Sequence, residues 1–542
     1  MKIFQPKLLG IRKNYSPKQF TNDLLAGIIV AIIALPLSIA LAIASGVSPE
    51  KGLYTAIVAG FVIAAFGGSN VNISGPTAAF ATIVAGIVAQ YGVSGLAIAT
   101  IMAGIILIIM GLCKLGALIK YIPYTITTGF TSGIALTIVI GQLKDFFGLT
   151  FAEGTHAVET MEKLSAVGSS FSTINLQSVL VGIIGLAVLI IWPKINKKIP
   201  PSLIAVIVGV AIVKLFDMRV NTIGDLYTIS RDLPQFSLPQ FNFATIKQLL
   251  PSAFTIAILA GIESLLSCVV SDEMISDKHN SNTELMAQGL GNIFSGLFGG
   301  IPATGAIART AANVKNGGRT PISGMVHAVV LLLILVVLMP YAAWIPMPII
   351  AAILFMVAYN MCEWRHFVEI CKTAPKSDIA VLLLTFILTV VFDLVVAIEV
   401  GLLVAVVLFM KRMTDVTTIR QWSHNPEDER MKKIPSKTLV YEIDGPLFFA
   451  TSDKISEIPK VNDVNVVIFR MHNIPALDIS ALRTIKDVYK HFRGQNTVVV
   501  FSHVNEQPMA VMKKAGFYET VGEEYFFDNI DEALEYAEKM SI

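Results

Sequence analysis

Between Leu24 and Ser45 the sequence reads LLAGIIVAIIALPLSIALAIAS, without one charged side chain. At ~1.5 Å per residue, a helix of this length crosses the ~30 Å hydrocarbon core of a bilayer. Lipid leaves a spanning chain only helices or closed barrels in which to satisfy its backbone. Comparable apolar runs recur near 52–66, 94–111, 124–141, 176–192, 200–216, 247–270, 283–298, 320–339, 348–361, 377–395 and 396–411. The chain therefore reads as an α-helical polytopic membrane protein. Composition agrees, since 54% of the 542 residues are hydrophobic and only 15% are charged, which excludes a soluble enzyme and a disordered chain. The 41 Lys and Arg against 39 Asp and Glu leave a net charge of +2, no field for holding nucleic acid.

Lys2, Lys7, Arg12, Lys13 and Lys18 precede the first run and no small-residue cleavage site follows them, so that run is expected to remain as a helix. Two shorter segments, about 76–90 and 304–314, are polar at their starts; counting them predicts about fourteen spans. With a cytoplasmic amino terminus, Lys114, Lys120, Lys194, Lys197, Lys198, Lys315, Arg319, Arg365, Lys372, Lys376, Lys411 and Arg412 fall in inner loops, as the positive-inside rule requires. Both termini are then cytoplasmic, and the expected location is a bacterial inner membrane. Cys113, Cys268, Cys362 and Cys371 have no CxxC spacing and read as small core residues, with no metal or disulfide framework. Nothing in the sequence requires a cofactor.

The two short segments carry the functional argument. In NVNISGPTAAFATIVAG, Val71, Asn72 and Ile73 favour extended chain, Gly75 permits a tight backbone, and Pro76 suits the first turn of a helix beginning there. In GGIPATGAIARTAANV, Gly299, Gly300 and Pro302 form the lead and a helix is predicted from Thr304 or Gly305. The segments occupy comparable places in the two halves of the membrane part and enter from opposite faces, the pattern of an inverted repeat with two half-helices. First-turn amides lack intrahelical partners and lie at the positive end of the helix dipole. The amides of Thr77, Ala78 and Ala79 facing those of Gly305, Ala306 and Ile307 would bind an anion without a formal cation. The bland reading is a pair of ordinary Gly and Pro kinks.

A charge at membrane depth costs at least ~2.5 kcal/mol and needs a partner or a task. Glu263 lies within TIAILAGIESLLSCVV and Arg309 a little over one turn into the second half-helix. Arg309 would strengthen anion binding while Glu263 takes a proton or faces a cation; the structural alternative is a Glu263–Arg309 ion pair. Asp393 is expected at an outer turn, and Glu399 as a packing carboxylate or second relay. Asp272, Glu273, Asp277 and His279 read as a solvated loop, because their spacing suits no metal.

Charges become dense after Lys411, which divides the chain into a cytoplasmic amino-terminal segment (1–23), a membrane unit (24–411), a linker (412–436) containing SHNPEDERMKKIPS, and a tail (437–542). In the tail TLVYEI, VNVVIF and TVVVFS alternate with helical SALRTIKDVYKHF and EQPMAVMKKAG, a small α/β domain. Asp478 and Ser480 lie at a helix start, as caps or, for Ser480, as a phosphorylatable position.

Over nearly its whole length the chain resembles the SulP family of anion transporters, also called the sulfate permease or solute-carrier anion exchanger family. The likeness rests on ALPLSIALAIASGVSPEKGLY, ISGPTAAF, GIESLLSCVVSD and NSNTELMAQGLGNIFSGLFGGIPATGAIARTAANVKNGGRTPISG, with a tail similar to a STAS domain. It implies a 7+7 inverted repeat, a core domain moving against a gate domain, and a homodimer. Carried over by motif, the anion site falls on Thr77–Ala79, Gly305–Arg309 and the first-span stretch around Leu37 and Leu41. Leu37 stands where many relatives have Gln, and Ala308 where many have Ser, so recognition would rest on backbone amides and Arg309. Ala481 departs from the usual Asp-x-Ser-Gly/Thr pattern of the tail.

The resemblance implies secondary transport of sulfate, bicarbonate, chloride or dicarboxylates, coupled to protons or sodium or by exchange. Glu263 together with Arg309 favours proton-linked transport or exchange of a divalent oxyanion or dicarboxylate, with sodium-coupled bicarbonate uptake as the alternative. A membrane-anchored regulator signalling through the tail is the rival of another class. The spans hold no pairing of nucleophile and base that would indicate an enzyme.

Overall fold

The computed structural model describes residues 4–13, 15–117, 123–152, 157, 159–196, 199–230, 232–240, 242–392, 394–422, 434–458 and 464–540. Lys2, Lys120, Lys197, Lys198, Asp393, the side chain of Glu399 and linker residues 423–433 lie outside the described residues. Two compact units are present, Met1–Leu402 and Leu403–Ile542.

Each apolar run of the sequence contains a helix. The chain order is α1 (Pro17–Ala44), α2 (Pro49–Phe66), β1 (Ser74–Gly75), α3 (Ala81–Leu112), α4 (Tyr124–Phe147), α5 (Thr160–Ser169), α6 (Leu176–Ile195), α7 (Pro201–Leu215) and α8 (Ile223–Leu226). It continues with α9 (Phe243–Ile275), α10 (Ser281–Leu297), β2 (Thr304–Gly305), α11 (Ile307–Lys315), α12 (Pro321–Ala342), α13 (Met347–Cys362), α14 (Trp364–Thr373), α15 (Lys376–Val391) and α16 (Leu394–Val416). Among the described residues eight helical stretches are long and apolar enough to cross a membrane.

The first short segment enters the front part of α3 at Ala81. Gly92 breaks that helix with φ 66° and ψ −173°, a backbone region that essentially only glycine enters. Helices pack closely where side chains are missing: a Cβ on Gly104 of α3 would lie 2.5 Å from the Gly289 carbonyl oxygen of α10, and a Cβ on Gly289 would lie 2.5 Å from that of Gly104. In lipid, where apolar side chains gain nothing by leaving the solvent, such close backbone contact supplies much of the packing energy.

The second unit holds a sheet in the order β3 (Thr418–Gln421), β4 (Thr438–Asp444), β5 (Val466–Asn473), β6 (Val498–Ser502) and β7 (Phe526–Phe527). β3 runs antiparallel to β4 and the remaining neighbours are parallel. Helices α17 (Ser452–Ser456), α18 (Ile479–Gly494), α19 (Glu506–Lys514), α20 (Phe517–Val521) and α21 (Ile530–Met540) complete this α/β fold. β3 is a correction to the sequence reading, which gave its residues to the linker: polar and only four residues long, it becomes a strand through its partner β4.

Candidate functional site

The two half-helix leads meet. β1 and β2 pair antiparallel, Ser74 opposite Gly305 and Gly75 opposite Thr304, so the half-helices start from one crossing. This shifts both predicted helix starts. Pro76 belongs to the lead, Thr77 is the extended cap, a single 3-10 turn covers Ala78–Phe80, and α3 begins at Ala81. In the second segment Thr304 and Gly305 are strand, Ala306 caps, and α11 begins at Ile307. The Ala306 amide donates to the Ile73 carbonyl (2.9 Å). Ala306 is therefore not an open anion donor, and Gly305 is a strand residue rather than a helix start. The first-turn amides of α11 are those of Ile307, Ala308 and Arg309, because the Thr310 amide already donates to the Ala306 carbonyl (2.8 Å). Ile307 is exposed and Ala308 with it, whereas Ala78 and Ala79 are buried.

Glu263, midway along α9, receives a hydrogen bond from the Thr77 hydroxyl at 2.8 Å. Arg309 is buried and donates through Nη2 to the Pro76 carbonyl, while Nη1 has no hydrogen-bond partner among the described residues. No Glu263–Arg309 ion pair within 4.0 Å occurs among the described residues, so each charge is held by a different part of the first lead. Leu37 and Leu41 lie in apolar packing. Leu37 is half-buried against the group containing Val181, Leu189 and Ile349, and Leu41 is in the main core. Ser480 is exposed in the second unit, on the first turn of α18, and Asp478 caps that helix by accepting from the Ala481 amide (2.8 Å).

Buried non-helical backbone needs substitute partners. One face of α10 supplies them from Glu284, Gln288, Asn292 and Ser295, all fully buried. The Glu284 carboxylate accepts from the Gly68 amide (2.8 Å) and the Asn72 side chain (2.8 Å). Gln288 donates to the Ser74 hydroxyl (3.0 Å). Asn292 both donates to and accepts from the Ala303 backbone at 2.9 Å, and Ser295 donates to the Ile301 carbonyl (2.6 Å). Asn72 in turn accepts from Ser267 (2.8 Å) and Thr310 (3.0 Å), and the Thr310 hydroxyl accepts the Ile73 amide (3.0 Å). This stripe escaped the sequence reading although its signal was visible: polar residues at helical spacing within TELMAQGLGNIFSG.

The run from Asp272 to His279 is also more ordered than a solvated loop. His279 Nδ1 lies 2.7 Å from Asp272, and Asp277 accepts from Lys7 (3.0 Å) and Asn70 (2.6 Å), tying residues near the amino terminus to this turn. All four cysteines are free.

The model described as the sulfate permease family matches residues 20–385, and that of the STAS domain matches 429–533. YvdB of Bacillus subtilis (strain 168), described as a candidate sulfate transporter, is 40% identical over 96% of this chain and 99% of its own. The bicarbonate transporter BicA of Picosynechococcus sp. (strain ATCC 27264 / PCC 7002 / PR-6) is 30% identical over 96% of this chain and 95% of its own. Among solved structures, the transmembrane domain of a cyanobacterium BicA matches with a TM-score of 0.63 and 31% identity, over 72% of this chain and 98% of that one. The murine Slc26a9 anion transporter in the inward-facing state matches with a TM-score of 0.88 over 98% of this chain and 94% of its own, at 17% identity, a likeness of fold. Matched by that family model over most of its membrane unit and by these relatives over nearly its whole length, this multi-pass chain belongs to the sulfate permease family.

Proposed function

We propose that this member of the sulfate permease family is a secondary active transporter that moves a divalent oxyanion such as sulfate, or a dicarboxylate, by alternating access, coupled to protons or by exchange. The observation that carries the reading is the β1–β2 crossing, from which two helix N-termini begin within one polar junction. First-turn amides there attract an anion through unpaired N–H groups and the helix dipole. The proposed binding groups are Thr77, Ala78 and Ala79 with Ile307, Ala308 and Arg309. Gly305 and Ala306 shape the crossing, and Leu37 and Leu41 contribute apolar packing. Arg309 supplies positive potential from behind the crossing, since its guanidinium is held by Pro76.

Glu263 is the proposed coupling group. Its carboxylate accepts the hydroxyl of Thr77, the cap of the first half-helix, so a change of its charge acts directly on an anion-binding turn. Protonation and anion binding would then favour one another, as linkage requires. The reading includes cytoplasmic termini, a bacterial inner-membrane location, contact with lipids and a homodimer, tested by cross-linking in native membranes. Ser480, exposed on the tail, is the proposed regulatory position.

Uptake into proteoliposomes with proton and sodium gradients imposed separately tests this reading. Proton-driven or exchange flux of sulfate or a C4-dicarboxylate is expected, lost in its pH dependence but not in exchange on Glu263→Gln. Arg309→Ala should weaken affinity yet still fold, because the amides remain. No flux of sulfate, bicarbonate, chloride or dicarboxylate under any gradient would refute transport. The BicA relative supports a second reading, sodium-coupled bicarbonate uptake, which sodium dependence in the parent would favour.

A further inference from the structure

Glu284 is a fully buried carboxylate with no cation within ion-pair distance among the described residues. Its charge is balanced by hydrogen-bond donors alone. Oε2 accepts the Gly68 amide (2.8 Å). Oε1 accepts Asn72 Nδ2 (2.8 Å), Ser264 Oγ (3.1 Å) and Gln288 Nε2 (3.1 Å). Oε1 takes three of these four donors and Oε2 one, so a single carboxylate anchors the side chains of three residues and one backbone amide. Such a cluster is costly to assemble and costly to leave incomplete.

What those donors are attached to gives Glu284 its consequence. Ser264 directly follows Glu263 on α9, so pinning Ser264 sets the rotation at which Glu263 meets Thr77. Asn72 lies in the lead to Thr77, and its Oδ1 holds the hydroxyl of Thr310, the residue after Arg309. Through these neighbours one carboxylate constrains the segments carrying Glu263, Thr77 and Arg309. We propose that Glu284 is a positioning residue that holds the coupling carboxylate, the first half-helix cap and the site arginine in register. This deepens the transport reading and rests on it.

The test compares the parent with Glu284→Gln and with Asn72→Asp/Glu284→Gln in full-length protein. Glu284→Gln places an NH₂ group against existing donors, whereas the double variant returns a carboxylate to the same junction with donor and acceptor exchanged. Sulfate, bicarbonate and succinate are each supplied to proteoliposomes across a pH series. For whichever the parent moves, Glu284→Gln should raise KM about tenfold to a hundredfold and displace the pH profile, as expected for a lost charge-assisted bond. The double variant should return KM to within about threefold of the parent. A parent-like KM and pH profile in Glu284→Gln overturns the proposal, as does a folded double variant no better than the single one. If Glu284→Gln is not recovered folded, Ser264→Ala removes the bonds that tie the Glu263 segment to Glu284, Gln288 and Asn72 and should raise KM in the same direction; an unchanged KM there also overturns it. Hydrogen exchange over 68–80 and 260–267 reads the same placement without substrate: faster exchange in Glu284→Gln, reversed in the double variant, is expected, and unchanged exchange refutes it. If the parent moves none of these three anions, the oxyanion or dicarboxylate reading fails while hydrogen exchange still decides the positioning role.

Discussion

Adding one methyl group at Gly75 should disturb anion affinity through Arg309. A Cβ built there lies 2.6 Å from Arg309 Nη1 and 3.5 Å from the Ala56 Cα. The guanidinium would have to retreat by about 0.8 Å to reach ordinary contact. Arg309 is only 4% exposed and its Nη2 is engaged with the Pro76 carbonyl, so the tip is not free to swing into solvent. Retreat stretches that bond, and hydrogen bonds of charged groups contribute ~1.5–3 kcal/mol. Gly75→Ala is therefore expected to lower affinity by roughly tenfold to a hundredfold, on the scale of 1.4 kcal/mol per tenfold change. The assay is KM for the anion moved by the parent in proteoliposomes, with melting of the detergent-solubilised protein measured alongside. The control is the Arg309→Ala background, where the clashing group is gone and Gly75→Ala should add less than about 0.5 kcal/mol to the melting change. Equal effects of Gly75→Ala with and without Arg309, or a parent-like KM in the single variant, would refute the reasoning.

Thr77→Val removes the hydroxyl donated to Glu263 and should cost ~1.5–3 kcal/mol of stability or coupling, whereas Thr77→Ser should retain most of it; equal behaviour of the two variants in melting and in pH-dependent uptake would deny that bond a role. At the amino terminus, burial raises the Asp277 carboxyl, but hydrogen bonds from the Lys278 amide, Lys7 and Asn70 outweigh it and hold it below the usual range. A depressed carboxyl stabilises the fold above its unfolded value, ~3.9, and loses that contribution as pH falls through the folded one. Hydrogen-exchange protection of residues 4–13 should hold from about pH 8 to about pH 5 and fall below about pH 4. Asp277→Asn should weaken it at neutral pH, and a loss of protection near neutrality in the parent would assign the tie to another group.

The spans were legible because hydropathy is a local property: each run from Leu24–Ser45 onward needs only its own residues to become a helix in lipid. The breaks were legible too, since glycine and proline act on their own dihedral angles. TLVYEI, VNVVIF and TVVVFS likewise announced strands by themselves, whereas β3 required β4 beside it.

The helix starts were misplaced by a few residues for a physical reason. Thr304, Gly305 and Ala306 could each have opened α11, and an extended chain was preferred because β1, some two hundred residues earlier in the chain, offers them backbone partners. Arg309 and Glu263 were recognisable from sequence as charges in need of partners. Their hydrogen-bond partners, Pro76 and Thr77, were not, because both belong to a distant lead. The stripe of Glu284, Gln288, Asn292 and Ser295 could be read as polar spacing on one helical face, but its meaning lies in the unpaired backbone that it reaches. The sequence by itself determined which segments form apolar helices and where they cannot continue as helices. Tertiary structure decided what satisfies the backbone left open there, because hydrogen-bond partners for non-helical chain in lipid must come from other segments.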